Sequence, residues 1–147
     1  MPRFASTLMA TVVVAAALAG NAAAQQMRLF DSQEALDAEI AGHMADGSFS
    51  ALVEAVAPPS RMSVGRIRIL EQAFTGDIPS LHQAVPIFHS KAADPVVRDL
   101  TAWWEGEIYV YLGLLTHTRE DGVAVLDFIL TGDIRKASRW YLTAEIQ

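Results

Sequence analysis

Asp127 is the one charge inside the apolar run Val-Ala-Val-Leu-Asp-Phe-Ile-Leu at residues 123–130. A carboxylate in such a strand must be hydrogen-bonded, face a wet cavity, or have its ionisation suppressed by desolvation, which is how a general acid or base is tuned. Tyr109, Tyr111 and Tyr141, the phenols of the chain, fall on the opposite sheet face from Asp127 in the expected register, so none of them is a donor facing it. The plainer role for Asp127 is a hydrogen-bonded structural carboxylate. Trp103 and Trp140 could line a ligand pocket, but an indole packs a core equally well. His43 falls on the apolar side of an expected helix, where it either closes the core edge or faces the same pocket as Asp127.

The remaining histidines do not assemble into a metal site. His82 and His89 are separated by an odd step along one expected strand and therefore point to opposite faces, and neither a helical two-His pattern nor a 2-His-1-carboxylate cluster is evident. No metal or other cofactor is expected. His117, beside Arg119 and Glu120, reads as a surface residue, and Arg135, Lys136 and Arg139 as a solvated basic cluster. Phosphate-binding glycine loops and the G-x-S-x-G nucleophile elbow do not occur.

Composition narrows the class further. The chain has 147 residues, 52% hydrophobic and 19% charged, with a net charge of −6 and no cysteine. It is too apolar for a disordered chain, and without cysteine it has no disulfide, no haem attachment and no thiol nucleophile. The acidic balance argues against nucleic-acid binding, which needs a basic face. Met1 to Ala24 reads as a secretory signal: Arg3, then the apolar run Leu8–Ala19, then the small residues Ala22-Ala23-Ala24. That run is about a dozen residues, short of the roughly 20 that span a bilayer, so no stable membrane insertion is expected after cleavage. Residues 25–147 are read as one exported domain, periplasmic or extracellular.

Elements to position these residues follow from the patterning. Asp31 with Glu34 has the form of a capping box, Leu36, Ile40, His43 and Met44 share a helical face, and Asp46-Gly47 ends it. Phe49, Leu52, Val53 and Val56 mark a second short helix closed by Pro58-Pro59. Residues 63–74 fit a third helix, although Arg66-Ile67-Arg68-Ile69 alternates like a strand. Strands are then expected over Leu81–Ser90, Val97–Trp104, Glu107–Thr118, Val123–Thr131 and Ser138–Ile146, with Pro86 confining the first to an edge. The expected fold is α+β: N-terminal helices on a curved antiparallel sheet of about four to six strands.

With Thr118 opposite Val123, one sheet face collects Asp99, Trp103, Leu112, Leu114, Asp127 and Trp140 as the helix-facing core. The other collects Tyr109, Tyr111, Leu115, Leu126, Phe128, Leu130 and Tyr141. That second face is too apolar for a wet sheet surface, so a homodimer through the outer face is expected, or a terminal segment of the same chain that covers it.

The helices around "DGSFSALVEAV" and the meander "EIYVYLGLLTHTREDGVAVLDFILTGDIRKASRWYL" together resemble the nuclear transport factor 2-like superfamily over most of residues 30–147. The resemblance lies in element order and hydrophobic rhythm. It implies a cone-shaped cavity between helices and sheet, and a dimer through the outer sheet face. Members include isomerases, dehydratases, cyclases and non-catalytic exported domains, and the isomerases use a cavity aspartate as base, a role that would fall to Asp127. No enzymatic branch matches residue by residue, so no catalytic residue is assigned. The expected function is a non-catalytic exported domain that binds a small apolar ligand through Asp127, Trp103, Trp140 and His43, or acts as a dimeric accessory module. The alternative is an isomerase- or dehydratase-like enzyme with Asp127 as base.

Overall fold

The computed structural model describes residues 28–58 and 80–143. The leader read at 1–24 and the helix read at 63–74 lie outside the described residues. Element order is β1 (Leu29–Phe30), α1 (Gln33–Asp46), α2 (Phe49–Val56), β2 (Gln83–Ala93), β3 (Val96–Glu105), β4 (Ile108–Arg119), β5 (Gly122–Thr131) and α3 (Ile134–Thr143). The strands form one open antiparallel sheet in the order β1-β5-β4-β3-β2, with the Pro86-bearing strand at an edge as expected. The fold class is therefore α+β.

Local chemistry explains the helix ends. Ser32, rather than Asp31, caps α1, its hydroxyl accepting from the Ala35 amide at 3.1 Å. Gly47 closes the helix at φ 65°, a left-handed turn that glycine enters without steric cost. Leu36, Ile40 and Met44 of α1 and Phe49, Leu52, Val53 and Val56 of α2 are buried. They join Val110, Leu112, Leu114, Val123, Val125 and Leu130 in one core on the inner sheet face.

The last element differs from expectation. Residues 138–143, read as part of a strand, belong to α3, which lies on the outer face of the sheet. Asp133 Oδ1 accepts from the amides of Arg135 at 2.8 Å and Lys136 at 3.4 Å, capping this helix. Ala137, Trp140 and Tyr141 then follow at helical spacing and meet the sheet. Trp140 rests where β4 carries Gly113. A Cβ there would approach Trp140 Cε3 to 2.6 Å and Ile129 Cγ2 to 2.8 Å, so only glycine lets the ring lie down. The chain thus covers part of its own apolar outer face. Leu142, 78% exposed, and the half-exposed Val85 and Tyr109 remain outside that cover.

Three one-residue slips in register, one in β5 and two in β2, decide which side chains face which way. In β5, Thr116 pairs with Val125 but Leu115 pairs with Asp127, so Leu126 is an extra residue and the faces swap beyond it. Phe128 and Leu130 therefore point inward to the core, and Asp127 and Ile129 outward, the reverse of the even alternation read from the sequence. In β2, Pro86 pairs with Thr101, Phe88 with Leu100, Lys91 with Val97 and Ala93 with Val96. The segment Phe88–Lys91 thus runs out of phase with the strand on either side of it.

Candidate functional site

A cavity of about 610 Å³ opens between α1 and the inner face of the sheet, within the usual range of roughly 300–1,000 Å³ for small-molecule sites. Its apolar wall is Ile40 of α1 with Val97, Trp103, Leu112 and Leu114 of the sheet. Polar groups are Gln33 and Asp37 on α1, His89 on β2, Asp99 and Thr101 on β3 and Thr118 on β4. Topology orders them. Phe30 pairs with Val123 and Val123 with Thr118, so the start of α1 lies at the same end of the sheet as Thr118 and Val97. The amide of Leu81 donates to the Met44 carbonyl, and Gln83 pairs with Trp104, which puts the end of α1 near the Trp103 end. The cavity therefore runs from a polar end with His89, Asp99 and Asp37 to an apolar end with Trp103. Two strand residues rise roughly 6.8 Å, so Asp99 and Trp103 are about 13 Å apart along β3.

At the polar end His89 Nδ1 and Asp99 Oδ1 share a short hydrogen bond. The His89 side chain is 65% exposed and that of Asp99 27%. With the Asp99 carboxylate accepting, Nδ1 is the donor of this bond, and Nε2 is the ring nitrogen that Asp99 does not engage. Across the opening, Gln33 Nε2 donates to Asp37 Oδ1 at 2.9 Å, fixing that carboxylate from its own helix. Trp103 Nε1 is buried with no acceptor among the described residues, so the indole contributes its ring to the wall while its donor is stranded.

The four residues singled out from the sequence are divided by the fold. Trp103 lines the cavity. Asp127 and Trp140 are brought together, but on the outer face: Trp140 Nε1 donates to Asp127 Oδ2 at 3.1 Å beneath α3. Asp127 consequently lies across the sheet from the cavity and not in it, because of the extra residue at Leu126. His43 is half-buried on α1 and does not line the cavity. Its Nε2 lies 3.5 Å from Glu39 Oε1, which also accepts from Arg28 Nη2 at 3.1 Å. The Arg28 guanidinium, and after it His43, hold the Glu39 carboxyl below its ordinary value.

The His89–Asp99 pair is what the sequence reading missed. The two residues are on one face only because Phe88–Lys91 is phase-shifted, since an unslipped strand would turn His89 outward. The same shift aims Phe88 and Ser90 at α3, where Phe88 stacks on Tyr141 at 4.8 Å between ring centroids and Ser90 Oγ lies 2.8 Å from the Tyr141 hydroxyl. Among the described residues no group of three or more His, Asp or Glu is gathered that could hold a metal ion, and no helix is long and apolar enough to cross a membrane. The fold and site define an α+β domain with a cavity between its first long helix and one face of its sheet. No protein-family model, curated protein or solved structure matches this chain.

Proposed function

We propose that this protein is an exported domain that holds a small, largely apolar ligand between α1 and the sheet. The observation that carries the reading is the cavity itself: about 610 Å³, an aliphatic and aromatic wall, and a few polar groups gathered at one end. The leader-like stretch from Met1 to Ala24 supports export. The order of helices followed by an antiparallel meander, with a cavity between the first helix and the sheet, supports the resemblance to the nuclear transport factor 2-like superfamily. One departure from that pattern is α3, which occupies the outer face that such domains often use to dimerise.

Fluorescence titration with N-phenyl-1-naphthylamine, a neutral apolar dye, tests the cavity. Saturable binding is expected, weakened about tenfold by either Ala41→Trp on the helix side or Thr101→Phe on the sheet side, a loss of about 1.4 kcal/mol. Both positions line the cavity and neither belongs to the buried core. Binding that ignores both substitutions, or a dye that never saturates, would sink the reading.

A further inference from the structure

The polar end of the cavity is built for more than retention. β2 slips by one residue at Ile87 and again at Ala92, and between the slips it pairs with β3 in the shifted phase, which turns a histidine onto the inner face directly opposite an aspartate. Bulges of this kind recur beside active sites because they re-aim single side chains. An exposed ion pair contributes only about 0–1 kcal/mol to stability, so stability alone is a weak reason for His89 and Asp99 to meet. Asp99 engages Nδ1, which leaves the lone pair of the neutral imidazole on Nε2. The exposure of the ring gives that nitrogen access to water, while Val97 and Leu114 begin the apolar wall beside it.

We propose that His89 is a general base that activates water for hydrolysis of an ester or thioester whose apolar acyl chain lies in the cavity, with Asp99 as its positioning residue. This rests on the ligand-binding reading above. Nε2 takes a proton from water as the water oxygen bonds to the acyl carbon. The bond from that carbon to the leaving oxygen or sulfur breaks, and the leaving group carries away the electron pair. The imidazolium, faced by the Asp99 carboxylate, returns its proton to the leaving group. Water and ester are thereby converted to acid and alcohol, or to acid and thiol, with no other reactant. An exposed ring favours this chemistry over proton abstraction from carbon, which calls for a desolvated base. The apolar run from Asp99 towards Trp103, about 13 Å, sets the reach for the acyl chain.

The test uses the full chain with p-nitrophenyl acetate, butyrate and hexanoate, alongside the naphthylamine titration. Hydrolysis is expected to saturate, with KM falling as the acyl chain lengthens. His89→Gln should lower kcat about hundredfold, within the range of a general base, and dye affinity by far less than that. Asp99→Asn should lower kcat at constant KM, and Asp99→Glu should restore part of it, a split that loss of folding would not produce. If the dye binds but hydrolysis stays at the solution rate, or His89→Gln leaves kcat unchanged, the base is overturned and the binding reading stands. If neither dye nor ester saturates, the cavity reading fails and the inference falls with it.

Discussion

Each face of the sheet carries an aspartate paired with a ring nitrogen, and a one-residue slip in register put each of them there. On the inner face Asp99 meets His89 at the open end of the cavity, exposed to water. On the outer face Asp127 meets Trp140 under α3, where a helix has been laid over the pair. The ingredients are alike, but the first ring belongs to an exposed imidazole with a second nitrogen free of Asp99, whereas the second is an indole that only donates and is covered. Chemical capacity on this sheet is therefore decided by access and by the ring, not by the presence of a carboxylate in an apolar strand. The outer pair belongs with structure: Trp140 lies on Gly113, Tyr141 stacks on Phe88, and Arg98 Nη1 donates to the Tyr141 carbonyl at 2.6 Å, all holding α3 down.

The sharpest way to break the comparison is to lift the helix from one face and watch the other. Gly113→Val puts a branched side chain into the space that Trp140 and Ile129 fill, and is expected to cost about 1–3 kcal/mol in urea unfolding, with α3 displaced. Dye binding in the cavity should persist under native conditions, because its wall is on the opposite face. Loss of dye binding in a variant that remains folded would show that the two faces act as one unit.

A matched pair of substitutions has a smaller effect and separates the faces by sign. Trp140→Phe removes the donor to Asp127 and is expected to destabilise by about 1–2 kcal/mol. Trp103→Phe removes the same atom from a site where it has no acceptor among the described residues. Shedding a stranded donor recovers about 1–3 kcal/mol of desolvation, which offsets the packing lost with the smaller ring. Trp103→Phe should therefore be the milder change, close to neutral by chemical denaturation. Equal losses at both positions would refute the contrast.

These details also mark where the sequence was legible. The apolar periodicity of α1 and α2 and the turns of the meander were readable because they are local. Asp99 and Trp103 were correctly set on the helix-facing side, since β3 and β4 pair without a slip. Asp127 and His89 were not readable. A bulge is one added residue whose signature is tertiary, and it inverts every face assignment beyond it. For α3, the aromatic and β-branched residues in Arg-Trp-Tyr-Leu-Thr suggested a strand. The cap at Asp133 and the spacing of Ala137, Trp140 and Tyr141 were the overlooked signals.

The smallest expected effect concerns His43, the site residue that neither face uses. Glu39 receives Arg28 Nη2 at 3.1 Å and lies within ion-pair distance of His43. With the guanidinium as the larger cause, its carboxyl is held below the ordinary value of 4.5. A carboxyl depressed in the folded state adds stability above its unfolded value, and that stability is lost as the pH falls through the folded one. Arg28→Ala should return the Glu39 midpoint towards 4.5, as read by carbon-detected NMR of the side-chain carboxyl. Because this cluster is exposed, the change in unfolding free energy should be slight and confined to acid. A Glu39 midpoint that does not move would remove Arg28 as the cause of the shift, and a variant that weakens dye binding at neutral pH would mean that Arg28, Glu39 and His43 are coupled to the cavity through α1.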